Sequence, residues 1–220
     1  MQYPVNEIFE TIQGEAVFTG TPAIFVRLQG CPVGCAWCDT KHTWATAPEH
    51  AVSSKLMLAK ASDSPVYTQM TVDELLATLQ RYAARHVVIT GGEPCLYDLV
   101  PLTSALLDSE YCVQVETSGT HEVRADDRTW VTVSPKLNMP GGFSVLDAAL
   151  QRANEIKYPV GKPVDVENLR ACILPLTKAG VPVWLQPLSQ SKSATALCVE
   201  AATNNGFRVS IQTHKFLGLR

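Results

Sequence analysis

The sequence predicts an α/β fold built on a parallel sheet. Three observations carry that expectation. Short β-rich runs alternate with helical patterns along the chain. Polar turn motifs follow one strand-like run after another. The 220 residues are 46% apolar, enough for one sizeable core and hence one domain over 1–220.

The strand-like runs fall at 23–29, 86–90, 112–116, 130–134, 155–158, 183–186 and 208–212. Helical patterns fall at 72–84, 99–107, 144–153, 166–172 and 192–205. The first of these opens with Thr71-Val72-Asp73-Glu74, a capping box in which Thr71 and Glu74 satisfy each other's backbone N–H groups. Right-handed crossovers between parallel strands leave two architectures, an open doubly wound sheet or a barrel. Residues 45–70 break the alternation. They are rich in Ala, Ser, Pro and Thr and read as an insertion with a short helix at 54–61.

Just after successive strands stand Gly30-Cys31, Gly91-Gly92-Glu93-Pro94, Thr117-Ser118-Gly119, Pro135-Lys136, Pro187-Leu188-Ser189 and Thr213-His214-Lys215. Strand C-termini of a parallel sheet share one rim, and that rim carries the site. Six polar motifs gathered there outweigh the reading of each as an ordinary turn.

The net charge of −3 gives no electrostatic support for a nucleic-acid partner. The first residues have neither a basic nor an apolar leader segment, and no apolar run approaches the roughly 18 residues of a membrane span. The expectation is a cytoplasmic protein without membrane contact. Seven cysteines, an odd number, suit a reducing compartment and a thiolate metal site better than a disulfide framework.

Three of those cysteines, Cys31, Cys35 and Cys38, lie within eight residues in a C-x3-C-x2-C pattern. Three thiolates can hold three irons of a [4Fe–4S] cube and leave the fourth iron for a ligand that is not protein. The same spacing also fits a structural zinc site completed by His42. The remaining cysteines, Cys95, Cys112, Cys172 and Cys198, read as small buried hydrophobes. Arg27 shares a strand face with Phe25 and Gln29, opposite Val26 and Leu28. On an interior face its charge needs a partner, and a carboxylated ligand could supply one.

The cysteine motif, with Trp37 before its last Cys, and the Gly91-Gly92-Glu93-Pro94 turn after a strand resemble the radical S-adenosylmethionine (SAM) superfamily. The flanks narrow the resemblance. Phe9-Glu10-Thr11-Ile12-Gln13-Gly14-Glu15, Cys38-Asp39-Thr40, Glu116-Thr117-Ser118-Gly119, Ser134-Pro135-Lys136 and Gln212-Thr213-His214-Lys215 look like the 7-carboxy-7-deazaguanine synthases along the whole chain. That resemblance implies an incomplete (β/α) barrel of about six parallel strands. It implies a [4Fe–4S] cluster, SAM bound at its open iron and used catalytically, and Mg²⁺. It also implies a homodimer reduced by a flavodoxin or ferredoxin. The implied reaction is ring contraction of 6-carboxy-5,6,7,8-tetrahydropterin with loss of ammonia, on the way to queuosine and other 7-deazapurines.

Residue roles carry over by the same resemblance. Cys31, Cys35 and Cys38 would hold the cluster. Trp37, Cys38, Asp39, Gly92, Glu93, Thr117, Ser118, Ser134, Pro135, Lys136, Gln186, Pro187, Leu188 and Ser189 would contact SAM. Ile12, Gln13, Gly14, Glu15, Arg27, Thr90 and His214 would hold the substrate, and Thr40 would offer its hydroxyl to Mg²⁺. The chain departs from the pattern at Ala16, where many relatives carry glycine. A glycyl-radical activase is the alternative within the superfamily, but the Gln13, Glu15 and Arg27 set suits a small heterocycle rather than a protein substrate. A zinc-stabilised binding module is the alternative outside catalysis.

Overall fold

The computed structural model describes residues 1–219. One nine-stranded sheet runs through it in the order β3-β1-β2-β4-β5-β6-β7-β8-β9. These strands are β1 (Gln2–Ile12), β2 (Pro22–Leu28), β3 (Thr68–Thr71), β4 (His86–Gly91), β5 (Cys112–Thr117), β6 (Trp130–Val133), β7 (Glu155–Val160), β8 (Val183–Pro187) and β9 (Arg208–Val209). From β2 onward every pairing in the sheet is parallel. Six longer strands are thus followed by the two-residue β9. The sheet is open and does not close into a complete barrel, as the incomplete-barrel expectation requires.

The antiparallel part was not foreseen. β1 pairs with β2 on one side and with β3 on the other. Its first half is buried without alternation, so the period-two signal of a strand is absent there. The segment read as an insertion ends in β3 and reaches the core through Met57. Lys60 Nζ donates to Asn6 Oδ1 at 2.6 Å, and Asn6 Nδ2 donates to the Ser64 and Val66 carbonyls.

Helices pack outside the sheet. These are α1 (Ser54–Leu58), α2 (Val72–Leu79), α3 (Val100–Asp108), α4 (Asp147–Arg152), α5 (Pro163–Asn168), α6 (Lys192–Asn205) and α7 (Thr213–Phe216). The capping box of α2 is formed: Glu74 N donates to Thr71 Oγ1 at 3.3 Å, and Thr71 N to Glu74 Oε2 at 2.8 Å. α2 ends five residues before its sequence pattern does, and α4 and β9 are likewise shorter than expected. α6 has the bounds its pattern gives, from the Ser191 cap to Gly206 in the left-handed region. The expected helix at 166–172 is instead the end of α5 continued by a π-helical turn, Leu169–Ile173.

Two apolar clusters fill the space between sheet and helices. One joins β1, β2, β4 and β5 to α1, α2 and α3, and the other joins β6, β7 and β8 to α4, α5 and α6. Cys95 and Cys198 are buried as expected, whereas Cys112 and Cys172 are exposed. Cys112 opens β5 at the sheet's lower rim, and Cys172 lies on the π-helical turn, so neither faces the core. Among the described residues no helix is long and apolar enough to cross a membrane.

Candidate active site

All six post-strand motifs reach the same rim. There they surround a cavity of about 270 Å³ and an adjoining recess of about 160 Å³. Arg27, Glu15, Asp39, Thr40, Thr90, Glu116 and Gln212 line both.

Cys31, Cys35 and Cys38 stand on the cavity wall. Their loop leaves β2 through Gly30, whose φ of +101° lies in the region that favours glycine. Gly30 N and Cys31 N donate to the Thr43 and Trp44 carbonyls, at 2.7 and 3.0 Å, which closes the loop on itself. The Gly-Gly turn after β4 packs against this loop. Gly92 N donates to Leu28 O and Glu93 N to Gly30 O. A Cβ on Gly92 would lie 2.1 Å from Gly30 O and 2.9 Å from the Cys31 Cβ. The turn therefore needs glycine for close approach to the cysteine loop.

Glu93 is buried and fully occupied. Its Oε1 accepts from Cys95 N at 2.9 Å and Thr117 Oγ1 at 2.6 Å, and its Oε2 from the N–H and hydroxyl of Ser118. It ties the end of β4 to the end of β5. Lys136 donates to Ser134 O at 2.8 Å and Ser134 Oγ at 2.5 Å, and burial holds its ammonium pKa below the ordinary value. Ser189, at φ +52°, and Gln190, at φ +51°, are consecutive left-handed residues after β8, a costly backbone of the kind that gathers at functional sites. Trp37, Gln186, Pro187 and Leu188 also line the cavity. Pro135 lines a separate pocket reached past Trp37, Lys136 and Leu188.

The chemistry of the donor set fits an iron–sulfur cube. Burial pushes the Cys31 thiol up to about 11 and raises Cys35 as well, so both stay protonated unless a metal replaces the proton. A cube takes each thiolate on a different iron, so its ligands must flank a volume rather than meet at a point. The three thiols stand along the wall of one cavity. His42, the fourth ligand of the zinc alternative, lies outside that lining, with its Nδ1 4.0 Å from Asp63 Oδ2. Thr40 lines both spaces, its Oγ1 3.6 Å from Cys38 Sγ.

The other residues expected to hold substrate meet on the β1 side. Ile12, Gln13 and His214 line the recess with Phe9 and Phe25. Gly14 lines neither space: a Cβ there would lie 2.2 Å from His214 Nδ1, so its hydrogen atom makes room for the imidazole. The Gly14 carbonyl accepts from Thr213 N and Oγ1, which docks α7. Gln13 is committed to the protein. Its N–H and carbonyl bond Thr21 and Gly20, its Nε2 donates to Glu116 Oε1 at 3.0 Å, and its Oε1 accepts from Glu15 N.

Arg27 requires a correction. Its charge does not depend on a ligand for a partner: Nε donates to Glu7 Oε1 at 2.6 Å. Glu7 and Arg27 are register partners across β1 and β2, a contact hidden from a reading that lacked β1. The guanidinium still lines both spaces and lies 5.8 Å from the Phe9 ring centroid.

Glu116 and Lys157 are among the cavity residues that escaped the sequence reading as site residues. Lys157 bridges Glu15 and Glu116, donating to Glu15 Oε2 and, at 2.9 Å, to Glu116 Oε2. Burial opposes the charge on Glu15, and the Lys157 ammonium outweighs it, holding the carboxyl well below its ordinary range. The signal available in the sequence was a charge set between apolar residues in each of two strands, Glu116 in CVQVET and Lys157 in EIKYPV.

Comparison with known proteins agrees with this geometry. Residues 25–186 match the Radical SAM superfamily. An open parallel sheet with a three-cysteine loop at its rim is the class of enzyme that match defines. Over its full length the chain is 56% identical to 7-carboxy-7-deazaguanine synthase of Escherichia coli K12, covering all of both chains. It is 43% identical to the protein of that name from Buchnera aphidicola subsp. Schizaphis graminum, again over all of both chains. The crystal structure of QueE from Escherichia coli superposes with a TM-score of 0.93 at 55% identity, over 96% of this chain and 94% of that one. The chain belongs to the 7-carboxy-7-deazaguanine synthase family of radical SAM enzymes.

Proposed function

We propose that the chain converts 6-carboxy-5,6,7,8-tetrahydropterin to 7-carboxy-7-deazaguanine and ammonia. The observation that carries this reading is one cavity bordered by three thiols together with Arg27, Glu15 and Glu116. It offers a cluster site, a cation for a carboxylate and acceptors for ring N–H groups within a single space.

A [4Fe–4S] cluster held by Cys31, Cys35 and Cys38 would, with SAM, supply radical hydrogen-transfer chemistry at the substrate, with SAM used catalytically. The chain's own residues bind and orient. Arg27 offers its planar guanidinium to the substrate carboxylate, a geometry lysine lacks. Glu15 accepts from the guanidine-like edge of the pterin. Ile12, Gln13 and Thr90 shape the recess, Gly14 gives His214 its place, and His214 closes it from α7. Trp37, Asp39, Gly92, Ser134, Lys136, Gln186 and Ser189 border the space assigned to SAM. Pro135 and Leu188 support it, and Glu93 fixes Thr117 and Ser118 beneath it. Thr40 would offer its hydroxyl to Mg²⁺, a hard ion that takes oxygen ligands.

A homodimer, a flavodoxin- or ferredoxin-type electron donor, a place in queuosine or other 7-deazapurine synthesis and a cytoplasmic location belong to the same reading, on the strength of the family. The test is anaerobic incubation of cluster-loaded protein with SAM, a reductant and carboxytetrahydropterin. Mass spectrometry should find 7-carboxy-7-deazaguanine, with SAM undiminished. Unchanged pterin beside cleaved SAM would exclude this substrate.

A further inference from the structure

Lys157 is the least solvated cation at the site. It sits in the middle of β7, its side chain only 7% exposed, between carboxylates from two distant parts of the chain. Glu15 follows β1, and Glu116 lies near the end of β5. Each carboxylate gives Lys157 one oxygen. The second oxygen of Glu15 accepts from Gln212 Nε2 at 2.8 Å and Gln186 Nε2 at 3.4 Å, and that of Glu116 from Gln13 Nε2 at 3.0 Å. All three charged groups line the cavity that the three thiols border, and both carboxylates also line the recess.

Two carboxylates gathered on a common point oppose each other's ionisation, and a cation held between them offsets that repulsion. A protonated carboxyl has lost acceptor capacity and gained a donor. That is the wrong pattern for a ring edge that presents N–H groups. A buried ammonium between the two reverses the balance.

We infer that Lys157 is the positioning residue of the substrate pocket, bridging Glu15 and Glu116 and aiming both carboxylates so that the cavity presents acceptors to the N–H edge of a heterocycle. This deepens the functional reading above and rests on it. Lys157 itself transfers no proton and touches no reacting atom. Other titratable groups whose fields reach the trio are Lys136 after β6, His214 on α7, His86 at the start of β4 and Glu155 at the start of β7. Each lies beyond the direct contacts that Lys157 makes.

The test compares wild type, Lys157→Met and Lys157→Arg, all loaded with cluster. Carboxytetrahydropterin affinity and kcat/KM are measured from pH 6 to pH 9, and SAM binding is followed by the change in the reduced cluster's EPR signal. In Lys157→Met the substrate KM should rise at least tenfold at pH 6 and partly recover by pH 9, as Glu15, deprived of its ammonium partner, ionises. Iron content and SAM binding should match wild type. Lys157→Arg should restore most of the affinity and the wild-type pH profile. If Lys157→Met does not fold, Lys157→Met/Glu116→Gln removes one charge of each sign and replaces it; affinity should stay low while the pH dependence disappears. Wild-type affinity with a wild-type pH profile in the methionine variant overturns the inference. So does a parallel loss of SAM binding and substrate binding, which marks a purely structural lysine. A wild-type protein that neither binds nor converts carboxytetrahydropterin overturns the functional reading and this inference together.

Discussion

Arg27 and Glu7 face each other across the antiparallel β1–β2 ladder, with Nε 2.6 Å from Oε1 at the edge of the cavity. One arginine thus has two tasks, fixing a strand pair and, in the proposed reaction, meeting a carboxylate. Substitutions separate them. Arg27→Ala should weaken substrate binding at least a hundredfold. It should also lower stability by about 3 kcal/mol, the lower end for breaking a buried pair, because Arg27 keeps some solvent contact and Glu7 has further contacts. Glu7→Gln should cost stability but leave substrate affinity within about tenfold, as a lost charge-assisted hydrogen bond implies. Substrate titration alongside denaturant unfolding of both variants is the check. Equal losses of affinity would remove the carboxylate role from Arg27.

The cysteine loop gives a second expectation. Protein reconstituted anaerobically should hold about four irons, as one cube implies, and Cys31→Ala, Cys35→Ala or Cys38→Ala should abolish turnover. Cys172→Ala should not, since Cys172 is exposed on the π-helical turn. Iron assay and absorbance of each variant decide this. A colourless wild type with one zinc per chain would sink it.

Ala16 holds a backbone conformation better suited to glycine. Its φ is +55°, its side chain is buried, and its N–H donates to Ser210 Oγ at 3.0 Å. The left-handed region costs an L-residue about 1–2 kcal/mol, while a glycine adds about 0.4–1 kcal/mol of unfolded-state freedom. Ala16→Gly should therefore stabilise by about 0.5–1 kcal/mol, read as a Tm rise of about 1–4 °C for a chain of this size. A fall in Tm would mean that the alanine methyl packs better than its backbone suffers.

Glu155 provides a pH signature of stability. Burial raises its carboxyl above the ordinary value, against hydrogen bonds from Thr132 Oγ1 and Val17 N. A carboxyl raised on folding contributes most stability below its unfolded pKa and loses that contribution as pH rises through the folded one. Wild type should therefore lose stability on this account from about pH 4.3, the ordinary Glu value, upward through the raised pKa. Glu155→Gln should flatten that slope. Denaturant midpoints at several pH values across this window test it, and an unchanged slope would assign the dependence to another group.

The sequence by itself determined what is local. The C-x3-C-x2-C spacing confines three thiols to one short loop, and the polar residues after each strand must share a rim once the strands run parallel. The Thr71–Glu74 capping box lies within a few residues, so it too was legible. Only the tertiary structure decided what depends on strand order. Lys157 finds Glu15 at a separation of 142 residues, and Arg27 finds Glu7 only because β1 turns back antiparallel beside β2. A lone charge in an apolar strand says that a partner must exist, because burial without one is costly. It does not say which residue that partner is, since the pairing is set by the order in which the sheet assembles its strands.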